Sequence, residues 1–172
     1  MKETDLISDG KSKYTVFLVA FKWLTGVIEF GGGVYILMQY YEFLGIAYGI
    51  YVAIAGALIM PLSSCVNCYY FGQRCHCGWG YVSSLLHKMG DKKLFIQTFP
   101  WRILLHPVWI VPLVGALVSL ARMRNSESAI ISVAYIVVIF IHHRLLMKHL
   151  ACKVCHQRFN CPGCQYRDYL AT

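Results

Sequence analysis

The chain has 172 residues, of which 58% are hydrophobic and only 14% charged. An ordinary globular domain carries roughly a quarter charged residues, and so short a chain cannot bury this much apolar surface within itself. Its formal net charge of +8 belongs to no soluble basic domain. That argues against nucleic-acid binding and for charge that anchors the protein at a bilayer surface.

In chain order, residues 1–13 form a polar tail that reaches Lys11 and Lys13. The first apolar block, Thr15 to Met38, is interrupted by Lys22 and Glu29. The second, Ile46 to Leu62, carries no charge. The third runs from Ile103 to Ala121. The fourth runs from Ala129 to Ile141 and extends to Met147 if His142, His143 and Arg144 sit at the interface. A membrane span needs about 20 mostly apolar residues. In lipid each backbone must satisfy its own hydrogen bonds, so these blocks are expected to be helices. The first block is long, charged within and without a small-residue cleavage site, so it reads as a retained helix rather than a signal peptide.

The expected fold is therefore an all-α integral membrane protein, a four-transmembrane-helix bundle with two cytoplasmic cysteine-rich segments. Residues 14–64 make the first hairpin and 65–100 a cysteine-rich loop. Residues 101–147 make the second hairpin and 148–172 a cysteine-rich tail. Orientation follows the basic residues. Lys2, Lys11, Lys13, Arg74, Lys88, Lys92, Lys93, Lys148, Lys153, Arg158 and Arg167 share one side, with Arg102 and Arg144 at the same face. The opposite turns offer only Arg122 and Arg124. Both termini and the middle loop are thus expected in the cytoplasm, with the protein in the cytoplasmic (inner) membrane. Trp23, Tyr40, Tyr41, Trp101 and Trp109 lie toward span ends, where amphipathic rings settle.

All 8 cysteines fall in the two polar segments, and the block boundaries put none inside a span. The loop holds Cys65, Cys68, Cys75 and Cys77; the tail holds Cys152, Cys155, Cys161 and Cys164. Three Cys-x-x-Cys pairs and one Cys-x-Cys let two thiolates reach one metal ion from a tight turn. Pro162 and Gly163 favour such a turn. A reducing cytosol disfavours disulfides, and palmitoylation does not require such regular pairs. Redox-active dithiols are the other alternative. Four thiolates suit zinc or an iron–sulfur cluster equally. Cys152-Lys-Val-Cys155-His156 also has c-type haem spacing, which the expected topology opposes. Short tethers predict that the two clusters lie close. They form either a shared site of Cys65, Cys68, Cys152 and Cys155 or two adjacent independent knuckles.

Arg74-Cys-His-Cys77-Gly78-Trp79-Gly80, followed by Leu85, Leu86, His87 and Gly90, resembles a local motif of polytopic membrane iron–sulfur proteins. These are the four-helix, quinol-linked proteins of nitrate and nitrous-oxide respiration. Tyr81 and Val82 stand where that family has its second Cys and its Pro. The resemblance implies iron–sulfur chemistry, a quinone and a redox or membrane-protein partner.

Ionisable groups inside spans are costly and mark candidate functional sites. Lys22 and Glu29 lie on one face of the first helix, two turns apart. Lys22 is expected to snorkel; Glu29 is a candidate proton carrier beside Gly31-Gly32-Gly33, which otherwise serves close packing. His106 begins the third helix, and His142 and His143 close the fourth. They are candidates to ligate haem b or hold a quinone headgroup, against the plainer reading of local hydrogen bonding. No Gly-rich phosphate loop, Ser-His-Asp arrangement or His-Glu-x-x-His appears, so no catalytic residue is assigned. The sequence points first to a membrane redox component with thiolate-bound metal. The alternatives are a scaffold whose zinc-bound clusters hold a partner protein, and a thiol oxidoreductase.

Overall fold

A computed structural model describes residues 14–122, 126–143, 151–152, 155–157 and 161–162. The tail at 1–13, the extension of the fourth span from Arg144 to Met147, and Cys164 lie outside the described residues. Among the described residues the chain is all-helical, without strands. Four stretches are long and apolar enough to cross a membrane: Val16–Met38, Glu42–Cys65, Lys92–Arg122 and Ser126–His143.

Helix α1 (Val16–Met38) starts where the Thr15 hydroxyl accepts the Leu18 N–H, a side-chain N-cap. A three-residue turn leads into α2 (Glu42–Ile54), which continues through two π-helical turns, Ala55–Ile59 and Pro61–Cys65. Pro61 has no N–H to return up the helix, and the wider turns accommodate that gap. Cys65 is therefore the last residue of a membrane-length helix, which corrects the expectation that no cysteine lies in a span.

A short helix α3 (Trp79–Leu86) follows within the cysteine-rich loop. The third span begins well before Ile103. It starts with a 3-10 turn (Lys92–Leu94) and passes through α4 (Phe95–Thr98), a 3-10 segment (Phe99–Leu105) and α5 (Pro107–Arg122). Pro100 tightens this stretch into 3-10 geometry without ending it. His106 consequently lies within the span rather than at its start. Helix α6 (Ser126–Phe140) completes the second hairpin.

Helix α1 is the hub and packs against α2, α5 and α6. Small residues allow this closeness. A Cβ on Gly33 would come within 3.0 Å of the Tyr48 ring and 3.1 Å of Pro112. Pro112 withholds the N–H that would serve the Val108 carbonyl. The Tyr48 hydroxyl fills that place, donating to Val108 O at 2.7 Å. An orphaned carbonyl in lipid would cost several kcal/mol, on the order that burial of an unpaired polar group costs. Ile36, Ala116 and Tyr135 form one buried cluster, and Ala55, Leu105 and Val108 another.

Candidate metal centre

The metal-ligating side chains gather at the end of the bundle where α1 begins and α2 ends. After Cys65 the backbone makes consecutive tight turns. Cys68 N donates to Cys65 O at 3.1 Å, Phe71 N to Cys68 O at 3.1 Å, and Gln73 N to Tyr70 O at 2.9 Å. These turns return the chain so that Cys75 is buried beside Tyr14 and Tyr70. Gly78, at φ 75°, then reverses direction into α3, a conformation in which L side chains are strained. Gly80 approaches so closely that a Cβ there would sit 2.3 Å from the Tyr70 carbonyl oxygen. That closeness lets the Gly80 N–H donate to Cys75 Sγ at 3.2 Å.

The Cys75 and Cys77 sulfurs are 3.4 Å apart. This is far beyond a disulfide bond of about 2.05 Å. It is close to the roughly 3.8 Å between two thiolates held on one tetrahedral zinc at about 2.3 Å each. With His76, the three ligand atoms lie within 4.8 Å of one another. This group can hold a metal ion. Among the described cysteines none is joined in a disulfide.

Electrostatics ready Cys75 and His76 as donors and leave Cys77 and Cys68 protonated. The Cys77 thiol and the Gly80 N–H both donate toward Cys75, which holds Cys75 below the ordinary thiol value. Cys77 retains the shared proton and is pushed well above that value, also by burial. Burial lowers His76 to about 4, so its imidazole is neutral at pH 7 with a lone pair free to bind. Burial raises Cys68 to about 12.

The tail meets the loop at this point. Cys155 packs with Cys68 and Cys77 against the buried group of Tyr14, Tyr70 and Cys75. The Cys68 thiol donates to Gln157 Oε1 at 3.0 Å. The His156 N–H donates to the Tyr70 hydroxyl at 3.1 Å, and the His156 ring stacks on Tyr69 with centroids 4.0 Å apart. Cys65 and Cys152 are buried and Cys161 is half-buried. Loop and tail thus form one packed knot around Cys75 and Cys77. The Tyr14 and Tyr70 walls, and Gln157, were not singled out by sequence. The Cys68-Tyr69-Tyr70 adjacency was the one available signal.

The intramembrane candidates form a second group. His142 lies between the other two. Its Nε2 meets Lys22 Nζ, and its Nδ1 is 2.6 Å from Glu29 Oε1. Glu29 is 2% exposed. Lys22 is therefore turned to a partner in the bundle instead of reaching for the interface. His142 thus faces Lys22 with one ring nitrogen and Glu29 with the other. His143 packs edge-on against Trp109 at 5.2 Å. His106 is exposed, with Nδ1 3.1 Å from its own helix's Ile103 carbonyl. The plainer reading of local hydrogen bonding describes His106 as it stands.

No family model, curated protein or solved structure matches the chain.

Proposed function

We propose that this chain is an integral membrane metal-binding protein and acts as a redox or electron-transfer component. Its thiolate-held centre would lie at the cytoplasmic face. The observation that carries this reading is the knot itself: Cys75 and Cys77 with sulfurs 3.4 Å apart, and Cys68 and Cys155 packed against the same buried group. Cys75, His76 and Cys77 would hold the metal, with Cys68 and Cys155 nearest to complete its shell. An iron–sulfur cluster there would supply one-electron chemistry. The chain's own contribution is burial, the Gly80 N–H directed at Cys75, and a neutral His76. Such donors and low solvent exposure tune reduction potential. The electron partners in this reading are another membrane redox subunit or a quinone, and the second hairpin's histidines remain candidates to meet it.

A specific observation favours a second reading. The sulfur knot also ties three distant segments together, through Tyr14 to Ala151, Tyr70 to His156 and Cys68 to Gln157. A nitrogen ligand beside two thiolates is common for structural zinc. In this reading zinc knits a cytoplasmic surface that holds a partner protein.

Anaerobic purification followed by metal analysis and an absorption spectrum separates the two. Iron with sulfide, and a broad visible band that bleaches on reduction, supports electron transfer. A colourless protein with zinc sinks the redox reading and leaves the scaffold.

A further inference from the structure

We infer that helix α3 is a re-entrant membrane element. It is seated among the lipid acyl chains of the leaflet that holds the metal knot, and it is not a helix in water. Four observations set its depth and its outer face.

The first is its seat on α1. Trp79 stacks on Trp23 with centroids 5.6 Å apart, and a Cβ on Gly78 would meet Val19 and Trp23. Helix α1 has 23 residues, about 34 Å at 1.5 Å per residue. The hydrocarbon core is about 30 Å thick, so only about 4 Å of α1 can project beyond it. Tilting α1 leaves less still. Trp23 stands about 10 Å from the start of α1. The Trp23 backbone therefore lies roughly 6 Å or more inside the hydrocarbon, and the Trp23–Trp79 stack lies between it and the level of Val19, which also meets Gly78.

The second is its seat on α2. A Cβ on Gly56 would lie 3.1 Å from Trp79. Gly56 is about 10 Å or more along the helix from Cys65, the end of the span. Two different helices thus give α3 a similar depth.

The third is the bond at its far end. His87 Nε2 lies 2.9 Å from the Ala57 carbonyl. A carbonyl only accepts, so Nε2 carries the hydrogen. Pro61, one α-turn on, has no N–H to give this carbonyl. A side-chain donor for a backbone carbonyl is required where water is absent.

The fourth is the outer face. Gly80 and Ser83 face inward and are buried. Tyr81, Leu85 and Leu86 are 54%, 67% and 57% exposed. Of the two hydroxyls on these outer turns, that of Ser84 donates to its own helix at Tyr81 O, 2.7 Å. Beyond the helix, Lys88, Lys92 and Lys93 follow within a few residues. They suit a return to anionic headgroups. Acyl chains are the occupant that fits: the exposed face of Tyr81, Leu85 and Leu86 belongs to a helix seated on α1 and the second span at hydrocarbon depth. Cys75, His76 and Cys77 immediately precede this helix, so lipid shields that side of the knot.

The test uses unmodified protein in vesicles of phosphatidylethanolamine and phosphatidylglycerol. A carbene-generating diazirine dissolved in the bilayer tags lipid-facing residues. Hydroxyl radicals generated in the water mark wet ones. Both are mapped by peptide mass spectrometry. Tyr81, Leu85 and Leu86 are expected to take the bilayer tag as Ile50 and Leu58 do, and to escape oxidation. Oxidation without the tag places α3 in water and overturns the inference. Neither mark means that protein, such as a second copy of the chain, covers the face, and overturns it equally. Metal content does not enter the readout, so this result and that of the metal analysis are separable.

Discussion

The Tyr14 hydroxyl donates to the Ala151 carbonyl at 3.0 Å. It joins the segment just before the first span to the segment after the last. Tyr14 is 1% exposed and is packed on Cys75. Replacing it by Phe removes the hydroxyl that serves the Ala151 carbonyl and Cys155 and should cost about 1 kcal/mol or more. Tyr14→Ala also empties the wall of the knot and should cost about 3–5 kcal/mol. Thermal unfolding in detergent gives the order of the two variants. Limited proteolysis should show faster cutting of the tail in Tyr14→Ala, and equal cutting would break the link between Tyr14 and the tail.

Two glycine substitutions should behave oppositely. At Gly80 an added Cβ meets the Tyr70 carbonyl oxygen at 2.3 Å, whereas at Gly31 nothing lies within 4 Å. Gly80→Ala should destabilise by about 1–3 kcal/mol or more through overpacking. It should also shift the N–H that serves Cys75. Gly31→Ala, inside α1, should be neutral or stabilising by up to about 1 kcal/mol. Thermal unfolding of both variants checks the contrast, and comparable losses at the two sites would contradict it.

The Lys22–His142–Glu29 contact joins the first and last spans. Removing one member leaves a buried charge without its partner. Glu29→Ala should therefore cost on the order of 3 kcal/mol. The double variant Glu29→Leu with His142→Leu should cost less than the sum of the two single changes, since the groups are coupled. A double-mutant cycle on unfolding in detergent measures this. Additive costs would mean that Glu29 and His142 do not act together.

The proposed cytoplasmic placement of the cysteine knot rests on the distribution of basic residues. Reporter fusions after Gly90 and after Thr172 should both behave as cytoplasmic. A tail on the other side of the membrane would overturn that orientation and would restore c-type haem at Cys152–His156 as a reading.

The four spans were legible because long apolar runs have few other uses in a chain this short. The spacing of Cys75 and Cys77 made that pair legible as part of a group that could hold a metal ion, while His76 between them was not singled out. The placement of α3 was not. Eight residues that include Gly80 and two serines read as part of a polar loop, and only the seats on Trp23 and Gly56 reveal their depth. The start of the third span at Lys92 was hidden by Asp91, Lys92 and Lys93, which look like loop residues, and by Pro100. Lys22 and Glu29 share a face by arithmetic alone. Their meeting with His142 depends on α6 packing against α1, which no local pattern specifies. The resemblance to quinol-linked iron–sulfur proteins rested on Cys77-Gly78-Trp79. In the structure that stretch turns the chain into α3.

The most direct measurement is the metal content of the anaerobically purified protein, compared with that of Cys75→Ser/Cys77→Ser and Cys155→Ser variants. A centre shared by loop and tail predicts iron or zinc in the unmodified protein. It predicts loss of that metal in the double variant and weakened retention in Cys155→Ser, because a depleted thiolate shell binds poorly. Metal-free protein, or metal content unchanged when Cys75 and Cys77 are both replaced, would contradict a metal centre in this knot.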